Sequence, residues 1–166
     1  MDLNLTKDEQ GDIETALNAP QINSSWGRQA IAAIQQKLGS RWASEIQKEV
    51  LNKQRTSRQR TQALQIMQWV GPVPRVDILL TLSRDEDAVV RKHAAYLMAS
   101  SKDESLALRL LELLQDSDSN VRRQACQSLV RSHRSVPYEY IAPLLTSSDQ
   151  FETWAALALP RDWPLH

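Results

Sequence analysis

The chain has 166 residues, of which 42% are hydrophobic and 24% charged, and its 20 basic and 20 acidic side chains give a formal net charge of zero. That is the composition of a globular chain with a core of its own, and zero net charge removes the global field that draws a protein to nucleic acid or to an anionic membrane. A single cysteine, Cys126, excludes an intramolecular disulfide and a thiolate metal cluster, and only four glycines suit helices better than tightly turned sheets.

Residues 1 to 20 are polar and acidic, with Asp2, Asp8, Glu9, Asp12 and Glu14 against Lys7 alone, and read as a loose acidic arm or a short helix ahead of Pro20. The start lacks the basic and apolar regions of a signal peptide, and no run approaches the roughly 18 apolar residues of a membrane span. For a complete chain this reads as a cytoplasmic protein. From Ser24 to Leu38, Trp26, Ala30, Ala33, Ile34 and Leu38 fall at helical spacing, with Ser24 or Ser25 as N-cap and Gly39 as the stop. Trp42 to Leu51 is a second amphipathic stretch through Trp42, Ile46 and Val50, and Arg58 to Val70 is its partner. Gly71, Pro72 and Pro74 break the chain there.

Val76 to Leu82 and Ala88 to Ala99 form the next helix pair, Leu106 to Leu114 and Asn120 to Val130 the one after. Tyr138 to Leu145 and Phe151 to Leu159 form the last, before Pro160 and Pro164. Asp87, Asp118 and Asp149 stand just ahead of second helices, where a carboxylate accepts backbone N–H bonds and meets the positive end of the dipole.

Arg60, Arg91 and Arg122 recur 31 residues apart (60 to 91, 91 to 122), each opening a second apolar run after a turn. A period of this length marks a helical solenoid, whose helix pairs bury their apolar faces only by stacking. The expected fold is all-α, a right-handed α-α superhelix of about five antiparallel helix pairs over residues 21–166. The repeats run roughly over 21–41, 42–72, 75–100, 104–134 and 137–166.

The blocks Asp87-x-x-Val90-Arg91-x-x-Ala94-Ala95 and Asp118-x-x-Val121-Arg122-x-x-Ala125 resemble HEAT repeats in the short bacterial form, and Pro143 resembles the proline of their first helices. The match is strong over 76–132, fair over 42–71 and 137–159, and weak before 40. Gln59 stands where the valine should be, and the first and last copies offer Gly27 and Glu152 in place of the arginine. The resemblance implies a structural ladder between repeats made by Asp87, Arg91, Asp118 and Arg122, with Arg60 in the earlier copy. Trp26 to Trp42 and Phe151 to Trp163 also resemble segments of large multidomain bacterial proteins, some exported and linked to cytochrome c domains. On that likeness the chain is a piece of something longer, whose compartment the sequence leaves open, the periplasm being one if that parent is exported.

No catalytic constellation is present, and no cofactor is expected. His93, His133 and His166 share no metal-ligand spacing, and His93 reads as a residue on a solvated helix face. The pairs Asp85/Asp87 and Asp116/Asp118 lack the glycine and the glutamate of a calcium loop, and capping accounts for them better. Cys126 reads as a small buried hydrophobe. Trp26, Trp42, Trp69 and Trp154 read as wedges between stacked helices.

The charges are segregated by helix: no Asp or Glu occurs in 24–42, 56–70, 88–102 or 119–136. In the family the second helices line the concave surface, so the resemblance implies a positive groove. Its expected rows are Thr61, Lys92 and Arg123; Gln62, His93 and Gln124; and Gln65, Tyr96 and Gln127, with Arg131 beside them. The expected function is non-catalytic protein–protein interaction, a monomeric scaffold holding an acidic segment of another protein on that face. The alternatives are a nucleic-acid-binding module using the same groove, against which zero net charge argues, and an accessory or spacer segment of a larger enzyme, bilin-lyase-like or cytochrome-linked.

Overall fold

The computed structural model describes residues 5–159. Among the described residues lie ten α-helices and one 3-10 turn, with no strand. They fall into two compact units that divide between Pro74 and Arg75. Pro160, Trp163, Pro164 and His166, read above as the stop of the last pair, a tryptophan echo and a lone histidine, lie outside the described residues.

The first unit holds α1 (Lys7–Asn18), α2 (Ser25–Leu38), a 3-10 turn (Gly39–Arg41), α3 (Trp42–Leu51) and α4 (Ser57–Val70). Helix α4 is its centre and packs on α1, α2 and α3, burying Ala63, Leu64, Ile66 and Met67. Trp42 is buried, and its indole Nε1 donates to the carbonyl of Gly71 at 2.8 Å.

The acidic segment read as a loose arm or a short helix is a helix, and it is part of this core. Thr6 and Glu9 form a capping box that starts α1, and Ile13, Ala16 and Leu17 are buried against its neighbours. Burying a side chain such as Ile13 or Leu17 stabilises by roughly 1.5–3 kcal/mol, enough to hold a short helix in place. Two of its acids are half-buried and pair with later elements of the unit, Asp12 with Lys37 and Glu9 with Arg41.

Helix α2 is turned differently from the expected face. Its buried stripe is Gly27, Ile31 and Leu38, while Trp26, Ala30 and Ala33 are exposed. The reason is a close backbone approach. A Cβ on residue 27 would lie 2.0 Å from the carbonyl oxygen of Gln21, so only the stripe bearing glycine lets the preceding turn sit against the helix.

The second unit holds α5 (Val76–Leu82), α6 (Ala88–Met98), α7 (Glu104–Leu113), α8 (Ser119–Arg131), α9 (Tyr138–Leu145) and α10 (Gln150–Leu157). They pair as α5/α6, α7/α8 and α9/α10, and the second helices stack in the order α6, α8, α10. Each second helix opens on the expected aspartate: Asp87 accepts from the amide of Val89 at 2.7 Å, Asp118 from Asn120 at 2.8 Å and Asp149 from Phe151 at 2.9 Å. The core is aliphatic, with Leu82, Val90, Leu110, Val121, Leu129 and Ile141 all nearly inaccessible.

Candidate functional site

The N-caps set the register of the repeats. Ser24, Thr56, Asp87, Asp118 and Asp149 cap the five second helices, and the fourth residue after each cap is Arg28, Arg60, Arg91, Arg122 and Thr153. Each of these arginines reaches a main-chain carbonyl preceding its own helix. Arg28 donates to Asn23 at 2.8 Å and Arg60 to Val50 at 3.0 Å. Arg91 donates to Asp85 and Glu86, and Arg122 to Asp116 and Ser117. The first copy therefore keeps the arginine, at Arg28 and not at Gly27. In the last copy Thr153 replaces it, and Glu152 takes the place of Val90 and Val121.

Within residues 75–159, Arg91 and Arg122 bridge successive repeats through Asp116 and Glu152. Arg91 grips Asp116 of the next repeat with two bonds, Nε at 2.9 Å and an Nη at 2.8 Å. Arg122 reaches Glu152 with two donors on the one oxygen Oε1, Nε at 2.9 Å. Asp87 and Asp118 turn a carboxylate oxygen to the free amides of their helices, which lie next to them in the chain. Burial of Asp116 works against its charge, but the Arg91 guanidinium and the amide of Asp118 outweigh it and hold the carboxyl below its usual range. First helices are linked as well, because Arg109 donates to the Ser83 hydroxyl at 2.9 Å and to its carbonyl at 2.8 Å.

The side chains that remain on the outer face of α6, α8 and α10 form rows one repeat apart: Val89, Asn120 and Phe151; Lys92, Arg123 and Trp154; Tyr96, Gln127 and Ala158. Lys92, Gln127 and Arg131 are exposed. The guanidinium of Arg123 lies 5.4 Å over the ring of Phe151 and donates to Asn120 at 2.6 Å. Arg131 lies 4.4 Å over the ring of Tyr96 and donates to the Tyr96 carbonyl at 2.6 Å. Such stacking holds the flat cation in place while leaving N–H groups at its edge. Helices α6 and α8 carry no acid, and the one acid of α10, Glu152, is turned inward at 2% exposure.

The row of Gln62, His93 and Gln124 does not belong to this face. Gln62 is buried, and its amide donates to the carbonyls of Ala16 at 2.8 Å and Ala19 at 2.9 Å, tying down the C-terminal end of α1. Gln124 is buried and donates to Ser128 at 3.4 Å. His93 is not a solvated residue: its Nε2 is closed from solvent without a hydrogen-bond partner, and burial, helped by the charge of Lys92, lowers its pKa to about 4. The cause is helical geometry. This row lies one residue, about 100°, around the helix from the row of Lys92 and Arg123. Thr61 is also buried, and Gln65 is half-buried on α4.

Three of the four tryptophans read as wedges are exposed: Trp26 at 71%, Trp69 at 52% and Trp154 at 61%. Only Trp42 packs inside. Arg28 lies 5.5 Å over the Trp69 ring. The 31-residue register already puts Trp154 in the row of Lys92 and Arg123, a signal in the sequence that its apolar character conceals. Among the described residues no group of three or more His, Cys, Asp or Glu is placed to hold a metal, and no helix is long and apolar enough to cross a membrane. Cys126 is buried, and burial pushes its thiol up to about 12.

Paired helices, aspartate caps at a fixed interval and arginines bridging successive repeats define the class: an α-helical repeat protein. Residues 76–160, just over half of the chain, match the family model described as HEAT repeats. The chain belongs to the HEAT-repeat family. No curated protein sequence matches it. HEAT repeats generally serve as scaffolds for protein–protein interaction.

Proposed function

We propose that the chain is a non-catalytic scaffold that holds an acidic segment of another protein on the second-helix face of residues 75–159. The observation that carries this reading is the charge layout: in a chain of zero net charge, α6 and α8 bear Lys92, Arg123 and Arg131 on one surface and no acid at all. Tyr96 and Gln127 lie among them and supply adaptable polar contacts. Arg123 and Arg131 are already stacked on rings, so less side-chain entropy is lost when a carboxylate arrives. Gln65 on α4 is the first unit's counterpart of Tyr96 and Gln127.

Fluorescence anisotropy with a labelled glutamate-rich peptide tests the reading. The wild-type chain binds it, and the double reversal Lys92→Glu with Arg123→Glu abolishes binding while the far-UV circular dichroism spectrum is unchanged. Undiminished binding by the folded double variant would show that this face is not the site.

A further inference from the structure

The proposed face is not uniform along the stack. Its cations stand on α6 and α8, whereas α10 presents two aromatic rings. Phe151 and Trp154 are 60% and 61% exposed, and they meet edge to face with centroids 5.7 Å apart. That arrangement satisfies the ring quadrupoles and gives the pair a defined shape, although most of both rings still faces water. Exposed aromatic area of this kind, set beside a charged region, is a feature of binding surfaces.

The rings are joined to the basic region by a single side chain. Arg123 lies over Phe151 with one bond to Asn120, so N–H donors remain at the guanidinium edge beside the aromatic pair. No carboxylate of α10 competes for them, because Glu152 is held inside by Arg122 and by the hydroxyl of Ser147. An apolar ligand alone would cover the rings and leave that cation edge uncompensated. A purely acidic one would pair with the cations and leave the rings wet. The chemistry that suits both is an apolar side chain flanked by carboxylates.

We propose that Phe151 and Trp154, with Arg123 at their edge, form a subsite for one aliphatic or aromatic side chain of the acidic partner segment. The flanking carboxylates of that segment take Arg123 and, farther along the stack, Lys92 and Arg131. The subsite rests on the basic face being an acidic-peptide site, and it assigns the partner motif: acidic residues interrupted by one large apolar residue.

The test compares two labelled peptides on the full chain by fluorescence anisotropy, a glutamate-rich peptide and the same peptide with one central leucine. The leucine peptide binds about tenfold tighter, the gain from burying one apolar side chain. Trp154→Ala removes that gain and leaves the affinity for the all-glutamate peptide unchanged, whereas Lys92→Glu weakens both peptides alike. Both positions are exposed, and an unchanged thermal melt confirms that each variant is folded. No gain from leucine in the wild type, or a gain that persists in Trp154→Ala, overturns the subsite while the basic face stands. Failure of both peptides to bind the wild type overturns the face and the subsite together. Tighter binding of a single-stranded oligonucleotide, displacing both peptides, overturns them in favour of nucleic-acid stacking.

Discussion

Glu152 supplies the carboxylate that Arg122 needs, from a place in the repeat where the two preceding copies carry valine. In the copy just before it the ladder acid comes from the turn two residues before the cap, where Asp116 accepts from Arg91. The corresponding turn residue of the last copy is Ser147, which still accepts from the cap amide, at Asp149, but has no charge. Glu152 reaches into the vacated place: its Oε1 accepts from Arg122, and its Oε2 from Ser147 at 2.7 Å.

This exchange predicts a compensating pair. Glu152→Val restores the repeat's valine but leaves a partly buried guanidinium without its acid, and should cost about 2–3 kcal/mol. Adding Ser147→Asp, which rebuilds the arrangement seen at Asp116, should return most of it. Urea unfolding of the single and double variants measures both steps. Equal loss in the double variant would mean that the two carboxylate positions are not equivalent.

Membership of α1 in the first unit's core is testable through Leu17 and Gln62. Leu17→Ala removes a fully buried side chain and should cost about 2–5 kcal/mol. Gln62→Leu leaves the carbonyls of Ala16 and Ala19 without their donor and should cost about 1–2 kcal/mol. Hydrogen exchange should localise the second effect to the end of α1. If both variants unfold like the wild type, the segment is an arm after all.

His93 sets the pH response of the second unit. Its pKa is about 4 in the fold against 6.5 in an ordinary site, so the unfolded chain takes up the proton more readily. Stability from this group is therefore full above pH 6.5 and is lost as pH falls toward 4. Asp116, held below its usual range, adds a second loss at lower pH as it protonates. His93→Gln, the residue found at the same position in the repeats before and after, should flatten the decline between pH 6.5 and 4. Urea midpoints across that window decide it, and an identical slope in the variant would exclude His93 as the cause.

Cys126 should be chemically silent in the native chain. Burial raises its thiol to about 12, so almost no thiolate exists at neutral pH. A thiol-reactive dye should label it only after denaturant is added, and rapid labelling of the folded chain would mean that α8 opens.

The local chemistry of this protein was open to reading from the chain alone. A 31-residue period and aspartates ahead of apolar runs determine paired helices and their N-caps, because caps and helical spacing act over a few residues. The basic character of Lys92, Arg123 and Arg131 is likewise local. What tertiary structure decided is which stripe of each helix turns inward. Gly27 and not Trp26 faces the core because Gln21 passes within a Cβ's reach; Gln62 turns from solvent because its amide reaches the end of α1. Glu152 serves as a ladder acid, and Phe151 and Trp154 stay exposed, for the same reason: these outcomes depend on what packs against each helix, which residue type and periodicity leave open.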